Sequence, residues 1–242
     1  MLNGRSKKIR IDAIKLSQEN GGYHYGSSFS CAEILINLYD SILKKEDRLV
    51  FSKGHGCWCF YALLKEQGYS PILEGHPYYD PKNGVFSTSG SLGHGLPMAM
   101  GMALAKRLKN ELGHVYVILG DGECQEGTTW ESILIASKLN LTNLTAIVDN
   151  NELQGSDFIK NILPSSTNTL ICAATAAGWN VKIIDGHNSE LLDIVKEKVE
   201  KPNLIIANTI KGKGISFMEN NTKWHAQGLT PILQTQAFKE LT

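Results

Sequence analysis

The apolar run Val115-Tyr116-Val117-Ile118-Leu119 stops abruptly at Gly120-Asp121-Gly122. Such a run reads as a buried strand. The glycines beside Asp121 let the backbone turn sharply and let a ligand approach closely. From about Gly127 to Leu141, the apolar residues Trp130, Ile133, Leu134 and Leu141 recur at helical spacing. A second apolar run, Leu144 to Val148, ends in Asp149-Asn150-Asn151. Strand, helix and strand make a βαβ unit, and its parallel strands end on the same edge of the sheet, where open α/β sheets bind ligands. Asp121 and Asn151 can therefore face one ligand. Their hard oxygens suit Mg²⁺ or Ca²⁺ holding a phosphate group.

The rest of the chain extends this pattern. Residues from about Gly4 to Glu19 read as a helix broken by Gly21-Gly22. Ser30-Cys31-Ala32-Glu33 reads as a capping box opening a helix through Leu35 and Leu38. Arg48 to Phe51 is a short strand leading to Lys53-Gly54-His55-Gly56, and a helix from Cys57 to Gln67 stops at Gly68. Residues 69–91 lack a regular period and form a long loop carrying His76. Leu96 to Lys109 is an apolar helix whose Met98, Met100 and Met102 are expected in the core. Further on come a helix Asn168–Ala177 closed by Gly178, a strand Val181–Ile184, a helix capped by Asn188 or Ser189 and running through Val199, and a strand Leu204–Ala207. Leu229 to Thr242 is expected to be a docking helix. Strands alternating with helices predict an α/β fold: a mostly parallel sheet with helices on both faces, in a single domain over 1–242.

With 24 basic and 24 acidic residues there is no net charge to favour nucleic acid or an anionic membrane. No apolar run approaches transmembrane length, and no signal-peptide core follows the basic N-terminus. Five cysteines, odd in number and without a Cys-x-x-Cys pair, point to a reducing cytoplasm.

Four histidines sit beside or near glycine: Tyr23-His24-Tyr25-Gly26, Gly54-His55-Gly56, Gly75-His76-Pro77 and Gly93-His94-Gly95. His225 lies beyond the last strand. Imidazole beside a closely approaching backbone can donate or accept protons near neutral pH, which suits sugar hydroxyls and a diphosphate. Each alone reads as a satisfied structural residue, but together, on loops at strand ends, they point to one shared site. Asp121 alone could be a turn residue, and Glu126 a carboxylate stabilised at a helix N-terminus.

Gly-Asp-Gly followed at this spacing by Asn-Asn resembles the diphosphate-binding motif of thiamine diphosphate enzymes. Asp121-Gly122-Glu123-Cys124-Gln125-Glu126-Gly127, Ser52-Lys53-Gly54-His55-Gly56, Ser89-Gly90-Ser91-Leu92-Gly93-His94-Gly95, Lys211-Gly212-Lys213-Gly214 and Trp224-His225 narrow the resemblance to transketolase. Their order from about Tyr23 to His225 covers nearly the whole chain. The resemblance implies a thiamine diphosphate-binding fold of the diphosphate-domain type and transfer of a two-carbon ketol unit from a ketose donor to an aldehyde or sugar acceptor.

It also implies site roles. Asp121, Asn151 and the carbonyl of Leu153 would be metal ligands. Gly120, Gly122, His55 and His225 would meet the diphosphate segment, and Gly90 and Leu92 would flank the cofactor rings. His24, His76 and His225 would act on the sugar, and Glu126 would link two active sites across a dimer interface. Three departures stand out. The loop Asn151-Glu152-Leu153-Gln154-Gly155 is short, bulky Trp58 stands where small residues are usual, and Tyr78 replaces an acidic residue after His-Pro.

Other classes fit less well. A dinucleotide fold lacks its Gly-x-Gly-x-x-Gly, a P-loop lacks its motif, and a zinc hydrolase lacks ligand spacing. A decarboxylating dehydrogenase, a deoxyxylulose phosphate synthase or a non-catalytic cofactor module would share Gly-Asp-Gly and Asn-Asn. Only seventeen residues, Ala226 to Thr242, follow His225. The pyrimidine-binding domain is therefore expected on a partner chain, in a heterotetramer of two copies of each.

Overall fold

The structure is a computed structural model that describes residues 2–155, 157–195, 197 and 200–242. In chain order its elements are α1 (Gly4–Glu19), α2 (Tyr25–Ser30), α3 (Ala32–Asn37), β1 (Arg48–Phe51), α4 (Trp58–Glu66), α5 (Gly95–Leu108), β2 (Val115–Gly120), α6 (Gly127–Lys138), β3 (Leu144–Asn150), α7 (Ile159–Ile162), α8 (Ser166–Ala177), β4 (Asn180–Asp185), α9 (Glu190–Ile194), β5 (Asn203–Asn208) and α10 (Pro231–Leu241). The five strands form one parallel sheet in the order β1-β2-β3-β5-β4.

The apolar runs are continuous because both sheet faces are covered. Successive side chains of a strand alternate between two cores. Tyr116 and Ile118 join Phe51, Ile147 and Ile205 under α1 to α4. Val115, Val117 and Leu119 join Ala146, Val148 and Ile206 under α5, α6 and α8. The chain steps from β1 to β2 to β3, jumps to the outer edge at β4 and returns to β5. On that reversal the connecting helix changes sides: Leu191 of α9 packs into the first core. Right-handed crossovers require this. The loops after β1, β2, β3 and β5 therefore gather at one edge.

Most element boundaries agree with the sequence expectation to within a residue or two. The capping box does not form. Ser30 closes α2, its hydroxyl donating to the Ser27 carbonyl at 3.1 Å and to Asp149, and Glu33 turns to Arg10 and His187. Long-range partners outcompete the local motif. The methionines of α5 also differ from expectation. Leu96, Ala99 and Ala103 face the core, while Met98, Met100 and Met102 are only half-buried. Asn188 caps α9, its side-chain oxygen accepting from the Glu190 amide at 2.8 Å. The helix ends at Ile194, and Lys196, Lys198 and Val199 of its expected continuation lie outside the described residues. The tail helix α10 docks on α1 through Ala237 and Leu241, which join the first core. Among the described residues no helix is long and apolar enough to cross a membrane.

At the opposite edge of the sheet His114 stacks on Tyr116, its Nε2 lying 2.8 Å from the Thr145 hydroxyl. Burial pushes its pKa down to about 4. The folded state thus binds fewer protons than the unfolded chain between that value and the ordinary histidine value near 6.5. The stability this contributes is present above about 6.5 and lost as pH falls toward about 4. The loss is on the order of 3 kcal/mol. Denaturant melts of the native chain and of His114→Gln should show a shallower acid loss in the variant. Equal loss in both would assign the acid sensitivity elsewhere.

Candidate active site

A cavity of about 440 Å³ opens at the gathered loop edge, lined by residues from four strand ends, including Asp121, Asn151, Leu153, His55, Lys211 and His225. β2 ends on Gly120 and β3 on Asn150, which sets Asp121 and Asn151 at adjacent strand tips as their sequence positions imply.

Asp121 is buried and is held by two backbone donors: the Gly122 amide reaches Oδ1 at 2.7 Å and the Glu152 amide reaches Oδ2 at 2.5 Å. Burial first, and then the neighbouring Asp149, raise its pKa well above the usual carboxylate range. Asp149 is fully buried too but pairs with the Lys53 ammonium and accepts from the Ser30 and Thr209 hydroxyls. One carboxylate is thus neutralised by a lysine, while the other lies at a cavity wall with no ion pair among the described residues. Asn151 holds its amide nitrogen toward Asp149 at 3.2 Å, and its oxygen accepts from the Leu153 amide at 3.2 Å. Asp121, Asn151 and the Leu153 carbonyl offer three hard oxygens at one wall. This donor set fits Mg²⁺ or Ca²⁺, whose charge would compensate Asp121.

Lys211 is buried, and its ammonium donates to the Leu153 carbonyl at 2.8 Å and meets His225 Nδ1 at 2.9 Å. Burial lowers its pKa. An ammonium can only donate, so His225 accepts at Nδ1 and carries its proton on Nε2. That nitrogen would sit 3.7 Å from a Cβ on Gly155, at the cavity edge. His24 Nδ1 contacts the His225 carbonyl, which can only accept, so His24 Nδ1 carries a proton and leaves Nε2 as the acceptor. His55 Nε2 lies 3.1 Å from the Ser27 hydroxyl. The rings of His24, His55 and His225 stand 5.2 to 5.3 Å apart, centre to centre. Burial lowers all three pKa values, with Lys53 adding to the effect at His55 and Lys211 at His225. The site holds them neutral. His24 also sits in left-handed backbone, φ 64°, which non-glycine residues seldom adopt. The indole of buried Trp58 donates to the preceding Tyr23 carbonyl at 2.9 Å.

His76 does not line the cavity. It lies beside Gly90, where an added Cβ would meet its ring at 3.6 Å. Gly90 adopts φ +127°. Leu92 and Glu126 line the cavity and are exposed, and Glu126 opens α6 without a side-chain cap bond. Tyr78 is exposed. Gly120 and Gly122 line the cavity, and Gln154 packs so close over Gly122 that an added Cβ would clash at 2.5 Å. The short loop is tied by Gln154 donating to the Asp157 carbonyl at 3.1 Å and Ile159 to that of Glu152 at 2.9 Å.

Sequence reasoning assigned no role to Lys53, Lys211 or Glu123. Both lysines stand beside glycines in the motifs already singled out, and a charge in such a turn was the available signal. Glu123 left none. Buried, it accepts from the amides of Gly120 at 3.0 Å and Gly93 at 2.9 Å and from the Ser52 hydroxyl, tying three loops together.

A family profile described as "Transketolase, thiamine diphosphate binding domain" matches residues 3–236. One of the two subunits of an apulose-4-phosphate transketolase from Actinobacillus succinogenes is 36% identical over 249 residues, covering 93% of this chain and 90% of that protein. A 6-deoxy-6-sulfo-D-fructose transketolase subunit of a Clostridium species is 37% identical over 265 residues, covering 99% and 96%. The crystal structure of transketolase from Campylobacter jejuni superposes with a TM-score of 0.85 at 27% identity, covering 98% of this chain and 42% of that one.

Proposed function

The chain belongs to the transketolase thiamine diphosphate-binding domain family, and on that premise we propose that it is the N-terminal subunit of a two-chain, thiamine diphosphate- and Mg²⁺-dependent ketol transferase. The observation that carries this reading is the buried Asp121, without an ion pair among the described residues, at a cavity wall it shares with Asn151, the Leu153 carbonyl, two buried lysines and two neutral histidines. Calcium could replace magnesium on such oxygens. The diphosphate would be met by the Gly122 region, by His55, by the Nε2 proton of His225 and by Lys211. Gly90 and Leu92 would flank the cofactor rings. The whole of 1–242 is read as one diphosphate-binding domain.

When bound, thiamine diphosphate supplies the carbon nucleophile and electron sink for breaking a ketose carbon–carbon bond. The chain's own residues position and move protons. His24 offers a bare Nε2 to a sugar hydroxyl, and His225 Nε2 carries a proton it can donate. His76, beside Gly90, would hold a further hydroxyl of the donor. The relatives named as single subunits of transketolases support a second chain carrying the pyrimidine-binding domain, in a heterotetramer. It would dock over the exposed Glu126 and the half-buried methionines of α5, next to the exposed Leu134 of α6. Glu126 would then face the partner active site. Sugar substrates are supported by the relatives' names, and the five free cysteines fit a cytoplasmic location.

The division of labour is testable. With a ketose donor and the partner chain present, His76→Ala should raise donor KM or lower kcat by about a hundredfold while cofactor affinity is retained. His55→Ala should instead weaken thiamine diphosphate binding in calorimetry. The reverse pattern would refute the assignment.

A further inference from the structure

The segment that carries Lys211 leaves β5 with no strand or helix of its own, and Gly212 and Gly214 both adopt positive φ, +77° and +97°. Gly212 donates to the Gly26 carbonyl at 3.0 Å. On either side of that contact the backbone is held by two side chains from distant parts of the chain. The Ile210 amide donates to His187 Nε2 at 2.8 Å, and the Lys213 carbonyl accepts from Arg10 Nε at 2.7 Å.

Both arms rest on one carboxylate. Arg10 donates to the two oxygens of Glu33 at 2.7 and 3.0 Å, and His187 Nδ1 meets Glu33 Oε2 at 2.8 Å. A backbone amide can only donate, so His187 Nε2 must be bare and Nδ1 must carry the proton given to Glu33. The histidine thus bonds at both ring nitrogens in one defined tautomer. Burial alone would raise the pKa of Glu33, but the bonds from His187 and Arg10 hold it down at about 2. None of the three lines the cavity.

We propose that Arg10, Glu33 and His187 form a clamp that fixes the backbone before and after Lys211, and that His187 is a positioning residue setting the Lys211 ammonium at the diphosphate wall. The local clamp stands on the geometry alone; its consequence for the cofactor rests on the proposed function. A ligand's outer partners typically contribute about ten- to a hundredfold to affinity, and the same scale is expected here.

The experiment compares the native full-length chain with His187→Phe and His187→Gln. Phenylalanine keeps ring volume and loses both bonds; glutamine keeps one acceptor and one donor. Hydrogen exchange followed by mass spectrometry, without cofactor, should speed about tenfold or more in peptides covering 208–214 of His187→Phe. Peptides from β2 and β3 should be unchanged, and His187→Gln should recover part of the protection. If His187→Phe fails to fold, His187→Leu takes its place in the same comparison. Calorimetry with thiamine diphosphate and Mg²⁺ should show about tenfold weaker binding by His187→Phe and little further loss when it is combined with Lys211→Ala. Native-like exchange in segment 208–214 overturns the clamp. Losses that simply add with Lys211→Ala overturn the action through Lys211. Failure of the native chain to bind thiamine diphosphate sinks the functional reading instead, and the exchange result still decides the clamp.

Discussion

Replacing Asp121 with alanine is expected to abolish tight, metal-dependent binding of thiamine diphosphate. The carboxylate is buried, is held by the Gly122 and Glu152 amides and faces the cavity without an ion pair among the described residues. Loss of an outer-shell partner of a metal ligand costs about ten- to a hundredfold in affinity, so loss of the charged ligand itself should exceed a hundredfold, which is about 3 kcal/mol. The fold should survive, because Asp121 follows the last residue of β2 and the strand's own pairing with β3 ends at Gly120. Removing a buried carboxylate whose pKa is raised mainly by burial also relieves a desolvation cost. The thermal midpoint without cofactor should therefore be equal or higher in the variant, while calorimetry in Mg²⁺ shows no saturable heat. Unchanged affinity would remove Asp121 from the metal site.

The second large effect concerns the partner. The isolated chain should show no ketol transfer above background, and adding the proposed pyrimidine-domain subunit should restore it by several orders of magnitude. The reason is chemical: the described cavity holds the residues suited to a diphosphate, and the cavity-wall carboxylate Glu126 lies at an exposed rim. No acidic group of this chain is proposed to serve the far end of the cofactor. Glu126→Gln should leave cofactor affinity in place and weaken the assembled enzyme, read by sedimentation and by steady-state rates. Robust turnover by the isolated chain would refute the two-chain reading.

The central unit was legible because its signals are local. The run 115–119 is apolar throughout because the sheet is covered on both faces, and it ends on a glycine where the backbone must turn. Asp121 and Asn151 follow from strand and helix lengths alone. The remainder depends on partners far apart in sequence. Ser30 and Glu33 carry a helix-start signature, yet Ser30 bonds to Asp149 and Glu33 to Arg10 and His187. No local rule joins Lys53 to Asp149, or His187 to the Ile210 amide. The histidines illustrate the same limit: glycine-flanked loops marked them as candidates, but only the fold brings His24, His55 and His225 into one cluster and leaves His76 beside Gly90. The methionines of α5 read as core by composition. Which side of that helix meets the sheet is settled by Leu96, Ala99 and Ala103, leaving the methionines at the margin.

The claim on which the account rests is that this chain holds thiamine diphosphate through a divalent metal on Asp121 and Asn151. A calorimetric titration of thiamine diphosphate into the native chain together with its partner chain, once in excess Mg²⁺ and once in excess EDTA, tests it most directly. The account predicts saturable binding of one cofactor per copy of this chain in Mg²⁺ and its loss in EDTA. Equal binding in the two solutions, or none in Mg²⁺, would contradict it.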